Sequence, residues 1–137
     1  MTGHFMPSVL TLHQLAEAKA KPLEPRVLVF AETPPDDTSR DKAYLIIDPD
    51  PGWDEVARAD GTVSARRGRF RVRCCGSGVG QAALALDAAR GAFLNWWPYT
   101  DPRFGMCRET DAGPLVTDKS VATDIRYSFT LTYEIND

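Results

Sequence analysis

The sequence holds only three cysteines and two histidines among its 137 residues. Cys74 and Cys75 are adjacent, no C-x-x-C spacing occurs, and three thiols cannot all pair within one chain. Neither a disulfide framework nor a zinc site is therefore indicated. His4 and His13 both lie in the N-terminal segment with no cysteine nearby, which argues against a metal centre and against a Ser-His-Asp triad. Long apolar runs are missing too. Val27-Leu28-Val29-Phe30-Ala31 is among the longest, far below the ~20 residues that cross a bilayer, so no membrane partner is expected. The start of the chain lacks a basic region followed by an apolar stretch, so no signal peptide is expected. Excess positive charge is absent as well: 16 Lys+Arg stand against 19 Asp+Glu, a net charge of −3, which removes bulk attraction to nucleic acid. No internal repeat or low-complexity tract is visible. The expectation is one soluble domain over residues 1–137 in a reducing compartment, since this length suits a single core.

The residues that are present pattern clearly. Val9, Leu12, Leu15 and Ala16 recur at helical spacing from Ser8 to about Lys21, with Ser8 as a cap after Pro7 and Pro22 as a stop. Arg26–Ala31 and Ala43–Asp48 read as strands. The second is predicted to end in Asp48-Pro-Asp-Pro-Gly-Trp53, where two prolines and a glycine oppose further pairing, and 54–65 is predicted as loop. From Arg66 to Cys75, Phe70, Val72 and Cys74 alternate with Arg69, Arg71 and Arg73, giving one apolar and one basic face. The glycine cluster Gly76–Gly80 then opens a helix predicted over Gln81–Asn95, closed by Trp96-Trp97-Pro98. A short strand is predicted at Phe104–Arg108, and a half-buried strand at Asp124–Glu134. Strands following one another without intervening helices point to an α+β domain. It would hold a mixed or antiparallel sheet of about four strands, with a helical segment at 1–24 and one main helix packed on one face of the 25–137 core.

Little of this assembles chemistry. Gly76-Ser-Gly-Val-Gly80 sits between strand and helix, where backbone amides hold phosphates, but the third glycine of a dinucleotide fingerprint would fall at Gln81. No Gly-Lys-Ser or Gly-Lys-Thr follows, so the cluster reads as a strand-to-helix turn with Ser77 capping. Asp48, Asp50, Asp54 and Glu55 are stiffened by Pro49 and Pro51, which fits a solvated acidic turn better than a calcium loop. Cys74 is expected in the core, while Cys75 shares the basic side with some scope for reactivity. No nucleophile, base and oxyanion site come together, so neither enzymatic activity nor any cofactor or metal is expected.

The arginine face is the main candidate site. Arg67, Arg69, Arg71 and Arg73 line one side of a strand over roughly 20 Å. Like charges in a row repel, so this face suits an acidic partner, such as the acidic 33–60 region of a neighbouring copy. Trp53, with Asp54 and Glu55 beside it, is a candidate anchor at the same contact. Trp96 and Trp97 are expected to close the core under the helix end.

The strand running into Asp48-Pro-Asp-Pro-Gly-Trp53 is followed by Phe70-Arg-Val-Arg-Cys-Cys-Gly76. A helix with Gln81-Ala82 and Leu86-Asp-Ala-Ala-Arg90 comes next, then the closing strand Tyr127-Ser-Phe-Thr-Leu-Thr-Tyr133. In that order and spacing, from about Pro25 to Asp137, the chain resembles the tail terminator proteins of long-tailed bacteriophages, especially those infecting actinobacteria. It differs in its long segment before Pro25 and in Gly-Val-Gly at the helix start. The resemblance implies a structural virion protein, located at the neck end of the tail and assembled in the host cytoplasm. It implies a homohexameric ring on the last tail-tube ring, ending tube polymerisation and docking the head connector, with DNA passing through without sequence-specific contacts. A connector or stopper of the neck is the alternative within that class. A small nucleotide-binding domain using Gly76–Gly80, or a DNA-binding module using Arg69 and Arg71, is the alternative outside it.

Overall fold

A computed structural model describes residues 9–31, 42–57, 63–100, 104–120 and 125–136. The fold is α+β. Helix α1 (Val9–Ala20) passes through a 3-10 turn (Lys21–Leu23) to strand β1 (Leu28–Phe30). Strands β2 (Tyr44–Ala57) and β3 (Val63–Gly76), helix α2 (Val79–Phe93), and strands β4 (Arg108–Ala112), β5 (Val116–Asp118) and β6 (Arg126–Asn136) follow. They form a six-stranded mixed sheet in the order β1-β2-β3-β6-β4, with β5 also paired to β6. Only β1 and β2 run parallel; the other pairs are antiparallel. Among the described residues six strands therefore stand where about four were expected.

The alternation in β3 decides which face is which. Phe70, Val72 and Cys74 are fully buried, in register with Ile47 and Leu45 on β2 and with Tyr133, Leu131 and Phe129 on β6. Leu12, Ala16 and Ala20 of α1, and Ala85, Ala89 and Phe93 of α2, cover this face in one core. Both helices thus pack on the same side, as the pattern predicts. The alanines let α2 approach β3 closely, and Phe93 fills the space at its end. Its ring lies 5.1 Å from both Phe70 and Tyr133 and 5.4 Å from Trp96. Such rings add packing geometry to the area they bury.

Strand β2 overturns the predicted stop at Asp48. It runs on through Pro49, Pro51 and Gly52 to Ala57, and the predicted loop 54–65 is strand at both its ends. The reason lies in what flanks it. β1 pairs β2 only at Tyr44–Ile46, so the prolines stand beyond the covered stretch, on an edge where a missing N–H is tolerated. Pro51 and Gly52 together oppose Gly68, since Asp50 pairs with Arg69 and Trp53 with Arg67; the extra residue is absorbed as a bulge.

The other boundaries move less. α1 ends into the 3-10 turn that contains Pro22, while the Ser8 cap and Pro7 lie outside the described residues. α2 starts at Val79, two residues early, and stops at Phe93, where the backbone of Leu94 becomes extended (φ −63°, ψ 125°) and Asn95 then turns left-handed (φ 56°). The strand predicted at Phe104–Arg108 instead begins at Arg108, and Phe104 is a buried anchor whose ring is tilted against that of Tyr99 at 5.1 Å. The last strand is shifted to Arg126–Asn136, and Asp124 lies outside the described residues.

Gly76 is needed where β3 turns into α2. A Cβ there would collide with the Gln81 side chain and stand 2.8 Å from the Ala82 amide nitrogen. Gly78 is different: a Cβ there meets nothing within 4 Å among the described residues, and its backbone is extended (φ −147°, ψ 163°).

Candidate functional site: a charged sheet face

The sheet face opposite the helices carries the arginines. Arg73 holds Asp48 with two hydrogen bonds, Nε to Oδ2 at 2.7 Å and Nη2 to Oδ1 at 3.1 Å. The hydrogen bond to Asp48 raises the Arg73 pKa against the opposing effect of burial. Arg71 reaches Asp50 at 3.1 Å. Arg69 stands between strands, 2.6 Å from Glu134 on β6 and 4.0 Å from Asp50 on β2. The register explains this, because Arg69 is paired with Asp50 on one side and Glu134 on the other. Asp50 and Glu134 are the buried charged residues among those described.

The arginines that sequence alternation singled out are thus brought together, but their counter-charges come from their own chain. Asp48 and Asp50 belong to the very acidic stretch expected to serve a neighbouring copy. Nor do they form a solvated acidic turn: Asp50 is 8% exposed and both carboxylates lie in a paired strand. Like-charge repulsion along β3 is answered within the sheet, so it does not by itself call for a partner at Arg69, Arg71 or Arg73. The remaining candidates fall at the far end of the β2–β3 hairpin. Trp53 is opposite Arg67 in backbone register, Asp54 is opposite Arg66, and Glu55 lies in the bulged stretch before Val56. The side chains of these residues lie outside the described part of the structure.

Beyond the ion pairs, Arg69, Arg71 and Glu134 join Arg108, Asp111 and the threonines of β4 and β6 around an open groove of about 620 Å³. Thr130, Thr132 and Glu134 were legible in outline, as the polar half of the β6 alternation. Arg108 and Asp111 were not, because β4 has no periodic signal. Within the described residues, no group of three or more His, Cys, Asp or Glu side chains is placed to hold a metal ion. Likewise no described helix is long and apolar enough to cross a membrane.

Cys75 does lie on the arginine side, but it is buried with Tyr44 and Ile46 in a small second cluster that Leu28 and Phe30 complete. Burial pushes its thiol up to about 11, the opposite of what a reactive cysteine needs. Cys74 is in the main core, as expected. The two tryptophans part company. Trp96 packs edge-on against Phe70 at 6.1 Å, whereas Trp97 is 59% exposed and closes nothing.

The glycine turn is also differently built from expectation. Gly78, not Ser77, is the N-cap of α2. The Gln81 side-chain oxygen accepts hydrogen bonds from the Ser77 N–H at 2.9 Å and from its hydroxyl at 2.8 Å. A donor that a phosphate would use is therefore already engaged. His13 serves packing: its Nε2 stands 2.7 Å from the Ile47 carbonyl, joining α1 to β2.

Compared with known proteins, the chain matches no protein-family model and no curated protein sequence.

Proposed function

We propose that this chain is a structural virion protein, a tail terminator of a long-tailed bacteriophage. Six copies form a ring on the last tail-tube ring, stop tube polymerisation and offer the docking surface for the head connector. One observation carries the reading. Each segment that bears the resemblance lies on a defined element of a single sheet-and-helix unit: Asp48–Trp53 on β2, Phe70–Gly76 on β3, Gln81–Arg90 on α2 and Tyr127–Tyr133 on β6. The face left open by the helices is charged yet internally neutralised, which suits a rigid surface presented to other proteins. With a net charge of −3, the ring would let DNA pass without gripping it. The engaged Ser77 N–H counts against the nucleotide-binding alternative.

Native mass of the purified chain, alone and with assembled tail-tube protein, tests the reading. A species of six times 15.1 kDa, or a ring on tube ends, supports it. A ring that joins the head connector but ignores the tube favours the stopper. A persistent monomer or dimer that ignores both overturns it.

A further inference from the structure

The two edges of the sheet are finished differently. At the β1 edge the chain itself takes up the backbone groups. The Val27 N–H donates to the Leu23 carbonyl at 3.1 Å and the Val29 N–H to Glu24 Oε2 at 3.0 Å, while Lys21 Nζ donates to the Val29 carbonyl at 3.1 Å. Lys21 and Glu24 also stand 3.6 Å apart as an ion pair, so the 3-10 turn takes the place of a further strand. Where β2 runs on past β1, His13 Nε2 meets the Ile47 carbonyl, and Pro49 and Pro51 have no N–H to give.

The other edge has none of this. β4 and β5 both pair with β6, every residue of the two is exposed, and no described strand pairs with their outer side. Their side chains complete a pattern. Across the charged face one row of register partners runs Asp50, Arg69, Glu134, Arg108, alternating in sign from β2 to β4. The next row runs Asp48, Arg71, Thr132, Asp111. Inside the sheet these charges are met, but neither Arg108 nor Asp111 has an ion pair or a side-chain hydrogen bond among the described residues. Charge can blunt an edge strand against pairing. Here, however, the two edge charges are opposite in sign, lie in adjacent rows of one face and are both unanswered, an arrangement that a strand with the reverse charges would complete. Val116, 55% exposed and opposite Ser128 on that same face, extends the edge with apolar surface.

We propose that β4 is a strand-addition site for an extended segment of another protein, one that sets an acidic side chain opposite Arg108 and a basic one opposite Asp111. Main-chain hydrogen bonds along β4 hold the segment, and the two charges select it. The inference stands apart from the ring reading, since it requires no second copy.

Two synthetic peptides of alternating threonine and valine test this with the full chain, one with Lys-Thr-Glu at its centre and the other with Lys-Thr-Lys. The wild type is expected to bind the first about tenfold more tightly, and Arg108→Glu, its fold checked by circular dichroism, to prefer the second by the same margin. Binding should slow amide hydrogen exchange across Arg108–Ala112 by about tenfold and leave the Val29 N–H unchanged. Binding of neither peptide, or binding indifferent to residue 108, overturns the proposal and makes the two charges guards of the edge. Protection of the β4 amides that grows with the chain's own concentration, with no peptide present, also overturns it, because a second copy would then hold the edge.

Discussion

Arg69 on β3 donates from Nη2 to Glu134 Oε1 on β6 at 2.6 Å, and Asp50 on β2 stands 4.0 Å from the same guanidinium. One side chain thereby ties three neighbouring strands together on the face that no described helix covers. Glu134 is 3% exposed, so its carboxylate meets that guanidinium out of contact with bulk water.

Removing Glu134 takes away the carboxylate nearest the half-buried Arg69 and leaves Asp50 4.0 Å from its guanidinium. Glu134→Ala is expected to lower stability by about 3 kcal/mol, in the range found when buried pairs are broken. The double replacement Arg69→Met with Glu134→Leu should recover more than half of that loss. Urea unfolding of the wild type and the two variants measures it. Equal instability in single and double variants would mean that the pair contributes through shape and not charge.

The two tryptophans should behave oppositely. Trp96→Ala opens the aromatic cluster around Phe70 and Phe93 and should cost about 3 kcal/mol. Trp97→Ala should change folding stability by less than about 0.5 kcal/mol. Thermal unfolding at a concentration where the chain is monomeric separates the two.

At the strand-to-helix turn, Gly76→Ala should destabilise by about 1–3 kcal/mol, because the added methyl meets Gln81 and the Ala82 amide. Gly78→Asp should leave the fold intact and stabilise it by a few tenths of a kcal/mol. The position is open, extended, and the N-cap of α2. Denaturation midpoints decide between these signs.

Alkaline pH should unfold the chain through its thiols. Burial raises Cys75 to about 11 and Cys107 to about 12, and raises Cys74 further. The unfolded thiols ionise first, so the native state binds more protons above about pH 9 and stability falls as pH rises. Each thiol contributes a slope of about 1.4 kcal/mol per pH unit between its unfolded and folded pKa values. Stability should be flat below pH 8 and decline through pH 9–11, and Cys75→Ala should flatten part of that decline. A native chain whose thiols react rapidly at pH 8 would contradict the burial of all three.

The face assignment was readable because Phe70, Val72 and Cys74 alternate strictly with Arg69, Arg71 and Arg73, and period two leaves no choice of side. What lay opposite those arginines was not readable, since it depends on register. Two prolines disguised β2 as a turn at the very point where Asp48 and Asp50 meet Arg73 and Arg71. A proline carries an edge-strand reading as well as a stop, and only the short reach of β1 selects between them. The fate of Trp97 was equally hidden. Consecutive residues after a helix end point in different directions, and Asn95 in its left-handed turn sets which of the two tryptophans returns to the core.

Electron microscopy of tail-tube protein polymerised with and without this chain tests the central claim most directly. The account predicts tubes that stop growing when the chain is added, with a six-fold ring at one end only. Tubes of unchanged length and bare ends, with the chain left free in solution, would contradict it.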